Sequence, residues 1–221
     1  HGPPNDRNAH PHVAGKVAVV HNGIIENFAT LRAELESAGH ELVSDTDTEV
    51  VAHLLADELQ QMPAASGGDN SAQLPDAVRA VCRRLTGAFT LVITDADQPV
   101  MVVGARRNSP LVVGRGDGEN FRGSDVAAFI ESTREAIELG QDQVVVITPD
   151  QIDVTDFDGN AVEVTEYHVN WDASAAEKGG YSLFMLKEIA EQPQAVADTL
   201  LGRHNAAGQL QLDEMRLSDD E

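Results

Sequence analysis

The sequence is poor in cysteine and in basic residues, and it has no long apolar run. Cys82 is the only cysteine among the 221 residues, so no disulfide can form within the chain, which is compatible with a reducing cytoplasm. Lysine and arginine number 15 against 37 aspartates and glutamates, a formal net charge of -22. Nucleic-acid backbones and anionic membrane surfaces would repel such a chain, which argues against both as partners. Neither a signal peptide nor a membrane-spanning apolar run is present, and we expect a cytoplasmic protein.

The length and the start of the chain bear on its organisation. A chain of 221 residues can bury a sizeable core as one large domain or two small ones. Its acidic residues are spread along the sequence, which is typical of a solvated surface. The chain begins His1-Gly2-Pro3-Pro4 without an initiator methionine. We therefore expect it to be an interior part of a longer protein.

The most informative pattern is an apolar run that meets a polar tripeptide. Val17 to Val20 is apolar and mostly β-branched, so a buried strand is predicted from Lys16 to Val20, which His21-Asn22-Gly23 is expected to end as a turn. The Asn22 amide and the unhindered Gly23 N–H are two neutral donors that could converge on one oxygen, as a developing oxyanion requires. The alternative interpretation of Asn-Gly is a type I′ hairpin turn.

Three helices are predicted between this strand and the middle of the chain. Apolar residues at helical spacing indicate a first helix from Phe28 that Gly39 ends. Thr46 and Glu49 form a capping box for a second helix, which places Asp47 in its first turn. Pro75 begins a third helix that carries Cys82 on its apolar face and ends at Gly87.

The second half of the chain predicts short strands and a final helix. A short helix is expected near Glu135, and the helical pattern that starts at Ser182 is expected to break at Pro193. The glycine-rich stretch 114–118 is expected to be a hairpin tip. Hairpins without regular βαβ alternation indicate an α+β fold with antiparallel sheets covered by helices. The predicted strands are Ala88–Thr94, Val100–Ala105, Leu111–Val113, Val144–Thr148, Ile152–Thr155 and Val162–Val169, the last three forming a meander.

Several motifs in this order closely resemble the glutaminase domain of the glutamine-dependent fructose-6-phosphate aminotransferase family. They are Asn8-Ala9-His10-Pro11-His12, His21 to Asn27, Ser44 to Glu49, Gly123-Ser124-Asp125, Glu138 to Gln143, and Tyr181 with Phe184 to Pro193. The resemblance implies an N-terminal-nucleophile hydrolase, an αββα sandwich truncated here at its N-terminus. It also implies that residues 1–172 are an incomplete class II glutamine amidotransferase domain. Residues 173–221 would then be a connector and the first helices of the sugar-phosphate isomerase domain.

The resemblance also implies a chemistry and roles for named residues. In this family an N-terminal cysteine attacks the glutamine side-chain amide, a thioester forms, and water releases glutamate. Asn22 and Gly23 match the oxyanion hole, Asp47 matches the carboxylate that pairs with the glutamine α-ammonium, and His1 and Gly2 match the end of a glutamine-binding loop. A purely structural interpretation of Asp47 is an acid stabilised by the helix dipole. The ammonia would be transferred to fructose 6-phosphate in the sugar-phosphate domain, most of which this chain lacks. The resemblance further implies a homo-oligomeric full-length protein and no cofactor.

Departures from the family leave other interpretations open. The N-terminal cysteine and an Arg-Trp-Ala-Thr stretch before His1 are missing, so we expect the chain alone to be inactive. It could belong to another class II amidotransferase, such as one resembling the phosphoribosyl enzyme, or be an amino-acid-binding module without a nucleophile. His10, His12 and His21 lack obvious carboxylate or thiolate partners, and we expect no metal site. His10 matches a family histidine near the nucleophile loop.

Overall fold

The computed structural model describes residues 2–63, 71–170 and 179–200. The chain divides into two compact units, His1–Asn170 and Trp171–Glu221. All the strands that the structure describes lie in the first unit. They are β1 His12–Ala14, β2 Val17–Ile25, β3 Gly87–Asp95, β4 Val102–Arg107, β5 Val112–Arg115, β6 Asn120–Gly123, β7 Glu135–Glu138, β8 Gln143–Ile147, β9 Ile152–Asp156 and β10 Glu166–His168.

The strands form two fully antiparallel sheets. One has six strands in the order β1-β2-β3-β4-β8-β9, and the other has four in the order β10-β7-β5-β6. Residues 116–119 connect β5 to β6 as the predicted hairpin, although Gly114 and Arg115 of the predicted tip belong to β5. The predicted pairing of Val144–Thr148 with Ile152–Thr155 is also present, with Ile147 opposite Ile152. The predicted third strand of that meander is shorter, because only Glu166–His168 is extended and it pairs with β7 in the other sheet.

Three helices cover one face of the six-stranded sheet. They are α1 Phe28–Ser37, α2 Asp47–Gln61 and α3 Gln73–Arg84. Side chains of β2 alternate between the two faces of the sheet, so Val17, Val19 and Ile25 pack with the helices in one apolar core. The opposite face packs against the four-stranded sheet through a second core, which contains Leu111, Val113, Ile137, Leu139, Val145, Ile147 and Val154. The predicted α+β architecture of sheets packed face to face beneath helices is therefore confirmed.

Helix boundaries follow local sequence signals in two of the three cases. Gly39, with φ of +97°, follows the end of α1, and the His40 N–H closes the last turn on the Leu35 carbonyl at 3.0 Å. Thr46 caps α2 as predicted. The prediction that Gly87 ends the third helix was wrong, because α3 ends at Arg84 and Gly87 is the first residue of β3.

Two further secondary-structure predictions were wrong. The segment Glu135–Glu138 is a strand with neighbours on both sides, so pairing with β5 and β10 overrides its helix-forming composition. In the second unit, helix α4 Phe184–Leu200 continues through Pro193, since a proline removes one helical hydrogen bond without necessarily ending the helix. The predicted connector from Trp171 lies outside the described residues up to position 178. In the described ranges no helix is long and apolar enough to cross a membrane.

Candidate active site

Buried polar residues of the first unit collect around the N-terminus of α2. A buried polar side chain is stable only where hydrogen bonds replace its water, so such a concentration requires an organised network. The residues come from four segments: β1, the middle of β2, the loop that leads into α2, and the first turn of α2. They are His12, His21, Ser44, Thr46, Asp47, Thr48 and Glu49.

Glu49 fixes the loop before α2 instead of completing the predicted capping box. The Thr46 hydroxyl accepts the Glu49 N–H at 3.4 Å, which is the expected half of that motif. The Glu49 carboxylate accepts the N–H groups of Val43 at 2.9 Å and Ser44 at 2.7 Å, and the Ser44 hydroxyl at 2.7 Å. Burial raises the pKa of Glu49, but these hydrogen bonds outweigh burial and bring the pKa below its usual value. An ionised Glu49 thus holds the loop against the start of the helix.

Asp47 is the first residue of α2, and 9% of its side chain is exposed. Its Oδ2 accepts the Ile25 N–H at 2.8 Å, while Oδ1 lies 3.4 Å from His21 Nδ1. Burial raises the pKa of Asp47, but the hydrogen bonds from His21 and from the Ile25 N–H outweigh it and lower the pKa overall. A fixed, ionised carboxylate results. This geometry is compatible both with binding of an ammonium group and with the structural interpretation of Asp47.

Asn22 and Gly23 lie inside β2, so the prediction that the strand ends at His21-Asn22-Gly23 was wrong. Pairing with β3 continues without interruption to Ile25, and this tertiary pairing overrides the turn preference of Asn-Gly. Gly23 has φ of +135°, and a Cβ there would lie 2.1 Å from the Ala88 carbonyl oxygen. Glycine is therefore required for the close approach of the two strands.

The end of β2 that carries Asn22 and Gly23 has a free edge. Strand β1 pairs with β2 only from Val17 to Val19, so in the described part of the chain residues 20–25 have a neighbouring strand on one side alone. The Ile25 N–H crosses to Asp47 instead of bonding to β3. N–H groups two residues apart on an antiparallel strand point to the same edge, so the Gly23 N–H is expected at this edge too.

Asn22 faces away from Asp47. Because side chains alternate along a strand, His21 faces α2 whereas Asn22 faces a cavity of about 460 Å³. The cavity lies between the two sheets, with residues of β2 and β3 on one side and of β6 on the other. Asp47 does not line it. The two predicted substrate-contacting side chains therefore lie on opposite faces of β2, on either side of its free edge.

Gly2 lies against the loop that leads into α2. With φ of +63°, a Cβ at Gly2 would lie 2.5 Å from Asn8 Nδ2 and 3.0 Å from the Cβ of Asp45. Gly2, His10 and Thr46 line a second cavity, of about 590 Å³. The structure thus brings Gly2 close to the start of α2, while His1 lies outside the described residues.

The three histidines of the N-terminal motifs contact threonine hydroxyls. His12 Nε2 lies 3.0 Å from Thr46 Oγ1, and Thr48 Oγ1 lies 3.1 Å from His10 Nε2 and 3.2 Å from His21 Nδ1. Burial, followed by the nearby His12 and His21, lowers the pKa of His10. Among the residues that the structure describes, no group of three or more His, Cys, Asp or Glu side chains is arranged to hold a metal ion.

Sequence reasoning missed the roles of Ser44 and Thr48. Both are 1% exposed and take part in the hydrogen bonds of Glu49 and of the histidines. The available signal was the alternation of hydroxyl and acidic residues from Ser44 to Glu49 immediately before an apolar helical face, where side chains that face the core need partners.

The only cysteine is confirmed as a core residue. Cys82 is fully buried on the apolar face of α3, and burial raises the pKa of its thiol to about 12. A thiol of this kind is almost wholly protonated near neutral pH and is a poor nucleophile.

Comparison with known sequences agrees with the motifs. The family model of the glutamine amidotransferase domain matches residues 4–131. The chain is 65% identical over 219 residues to the glutamine--fructose-6-phosphate aminotransferase (isomerizing) of Streptomyces coelicolor, an alignment covering 98% of this chain and 34% of that protein. It is 61% identical over 228 residues to the protein of the same name from Mycolicibacterium smegmatis, covering 100% of this chain and 35% of that protein. The chain thus spans about a third of the length of these relatives.

Comparison with solved structures concerns the fold. The glutamine phosphoribosylpyrophosphate amidotransferase of B. subtilis superimposes with a TM-score of 0.55 at 22% identity, over 72% of this chain and 34% of that one. A structure described as the allosteric regulatory enzyme of purine biosynthesis gives a TM-score of 0.56 at 22% identity, over 72% of this chain and 33% of that one.

The fold and the polar network together define a class of protein. Two antiparallel sheets packed face to face, with helices outside, are a fold that the chain shares with these two solved structures. The family match over more than half of the sequence makes the assignment specific. The chain belongs to the glutamine amidotransferase domain family.

Proposed function

We propose that this chain binds glutamine and supports its hydrolysis to glutamate and ammonia. We also propose that the full-length protein transfers this ammonia to fructose 6-phosphate and forms glucosamine 6-phosphate. The observation that carries the proposal is the position of Asn22 and Gly23 at a free strand edge beside the fixed carboxylate of Asp47. The names and the 54–65% identity of the bacterial relatives support the sugar substrate.

The two donors would act on the carbonyl oxygen of the glutamine side chain. When a thiolate attacks the amide carbon, a carbon–sulfur bond forms and the oxygen gains negative charge, which Asn22 Nδ2–H and the Gly23 N–H stabilise. The amide nitrogen takes a proton and leaves as ammonia. Water then cleaves the thioester to glutamate and regenerates the thiol. Because Cys82 is buried and protonated, the attacking thiolate is assigned to the N-terminal cysteine that the family resemblance implies.

Asp47 would select free glutamine by pairing with its α-ammonium. Gly23 and Ile25 are two residues apart, about 7 Å along a strand, which is the scale of one glutamine molecule. A substrate lying across the free edge of β2 would therefore reach Asn22 and Gly23 with its amide and Asp47 with its ammonium. By the family resemblance, His1 and Gly2 would belong to the end of the glutamine-binding loop, and residues 173–221 would lead into the sugar-phosphate domain of a homo-oligomeric protein.

The experiment is to replace Asn22 by alanine in the full-length protein and measure glutamate release. Loss of one oxyanion donor typically lowers kcat by about a hundred- to a thousandfold. Folding should be little affected, because Asn22 is exposed. Val20→Ala is the matched control, since Val20 lines the same cavity and offers no donor. Wild-type turnover in Asn22→Ala would remove Asn22 from the mechanism.

A further inference from the structure

The Thr48 hydroxyl is the central contact of the buried network and has no role in the chemistry described so far. It lies 3.1 Å from His10 Nε2, 3.2 Å from His21 Nδ1 and 3.4 Å from Asp47 Oδ1. Thr48 is 1% exposed and is the second residue of α2, so the helix backbone fixes its position.

The proton of this hydroxyl can satisfy all three contacts in only one arrangement. A hydroxyl has one hydrogen to donate and two lone pairs that accept, and an ionised carboxylate can only accept. If Thr48 donated to either histidine, its contact with Asp47 would have no donor. The hydroxyl therefore donates to Asp47 Oδ1 and accepts one N–H from each of His10 and His21.

This arrangement requires an N–H on one named nitrogen of each histidine ring. His10 carries its proton on Nε2 and His21 carries its proton on Nδ1. His21 Nε2 is buried and has no hydrogen-bond partner in the described residues. The donor of His21 in this network is its Nδ1–H, which faces Thr48 and Asp47.

The result is a carboxylate held at both oxygens. The Ile25 N–H fixes Oδ2 at 2.8 Å, and the Thr48 hydroxyl, supported by His10 and His21, fixes Oδ1. Contacts to both oxygens restrict the rotation of the carboxylate. A carboxylate presented in one orientation binds an ammonium group without losing further side-chain entropy.

We propose that Thr48 is a positioning residue for substrate selection, which orients the carboxylate of Asp47 through its hydroxyl. This inference rests on the proposed pairing of Asp47 with the glutamine α-ammonium. Thr48 itself touches no reacting atom, so its effect falls on glutamine affinity.

The test compares Thr48→Val with Thr48→Ser in the full-length protein. Valine keeps the shape and removes the hydroxyl, so the KM for glutamine should rise about ten- to a hundredfold, the usual effect of losing a hydrogen bond to a charged group. The kcat should stay within about threefold, and serine should restore most of the affinity. Thr30→Val, at an exposed position of α1, is the matched control and should leave both constants unchanged.

A glutamine analogue without the α-amine distinguishes a positioning role of Thr48 from general damage to the binding site. Glutaramate is glutamine without that amine. Thr48→Val should therefore weaken the binding of glutamine and leave the inhibition constant of glutaramate unchanged. Equal losses for both compounds, or a kcat that falls with unchanged KM, would overturn the inference.

Asp47→Asn distinguishes failure of this inference from failure of the proposed function. If Asp47→Asn raises the KM for glutamine and Thr48→Val does not, Asp47 binds the ammonium and the role of Thr48 is wrong. If Asp47→Asn leaves the KM unchanged, the proposed role of Asp47 is itself wrong. Both proposals predict that the double variant is little worse than Asp47→Asn alone, because Thr48 acts through Asp47.

Discussion

Replacement of Gly23 by alanine should damage both folding and turnover, and Gly87 offers a control with the same strain. The two glycines lie at the same end of the β2–β3 pair, with φ of +135° and +125°. A Cβ at Gly23 would lie 2.1 Å from the Ala88 carbonyl oxygen, and one at Gly87 would lie 2.2 Å from the Ile24 carbonyl oxygen. Both contacts are with backbone atoms of paired strands, which have little room to move.

The cost of each substitution has two parts. Forcing the two strands apart costs about 1–3 kcal/mol, and a side chain at positive φ costs roughly 1 kcal/mol more. Each alanine variant should therefore lose about 2–4 kcal/mol of stability, seen as similar falls in the melting temperature of the full-length protein. Alanine keeps the backbone N–H, but the clash of its Cβ with Ala88 moves that N–H away from the proposed oxyanion position. Gly23→Ala should therefore lose at least about tenfold more kcat for glutamine hydrolysis than Gly87→Ala. Equal losses of kcat in two variants of equal stability would refute the role of Gly23.

Two other predictions address the network and the cysteine. Burial raises the pKa of Glu49 and hydrogen bonding lowers it, and the net change is a decrease. Ionised Glu49 therefore contributes fully to the stability of the fold above its usual pKa of 4.5, and this contribution is lost as the pH falls through the lower pKa of the folded state. Glu49→Gln should thus melt at a lower temperature than wild type at pH 7, by an amount equivalent to about 1–3 kcal/mol. The difference should shrink as the pH falls below 4.5, and a constant difference would contradict this account. Cys82 should resist a thiol-reactive glutamine analogue in the native protein, because burial raises its pKa to about 12; rapid labelling of Cys82, detected by mass spectrometry, would show that the thiol is accessible.

Periodicity and end signals predicted the parts of the fold that depend on local sequence. The apolar face of α3 with Cys82, the glycine after α1 and the Thr46 cap all follow from spacing and from backbone hydrogen bonding at helix ends. Non-local pairing decided the remaining elements. Glu135–Glu138 has a helix-forming composition, yet it lies between two strands, and Gly87 matches a helix terminator, yet it begins a strand.

The candidate site also combines features that local sequence predicts with features that depend on non-local contacts. The family motifs identified Asn22, Gly23 and Asp47, but the sequence placed the first two in a turn because Asn-Gly is a turn signal in isolation. Their position inside β2 depends on β3, which is about 65 residues further along the chain. The hydroxyl contacts of Thr48 could not be derived from spacing either, since they join β2, the segment before β1 and α2 through side-chain geometry alone.

A crystal structure of the full-length protein with the γ-aldehyde analogue of glutamine would test the central claim most directly. A cysteine thiol adds to the aldehyde carbon and its proton passes to the oxygen, which then occupies the position of the developing oxyanion. The account predicts that this oxygen lies about 2.7–3.1 Å from both Asn22 Nδ2 and the Gly23 nitrogen, with the ligand α-ammonium on Asp47. An oxygen bound by other donors, or an α-ammonium directed away from Asp47, would contradict it.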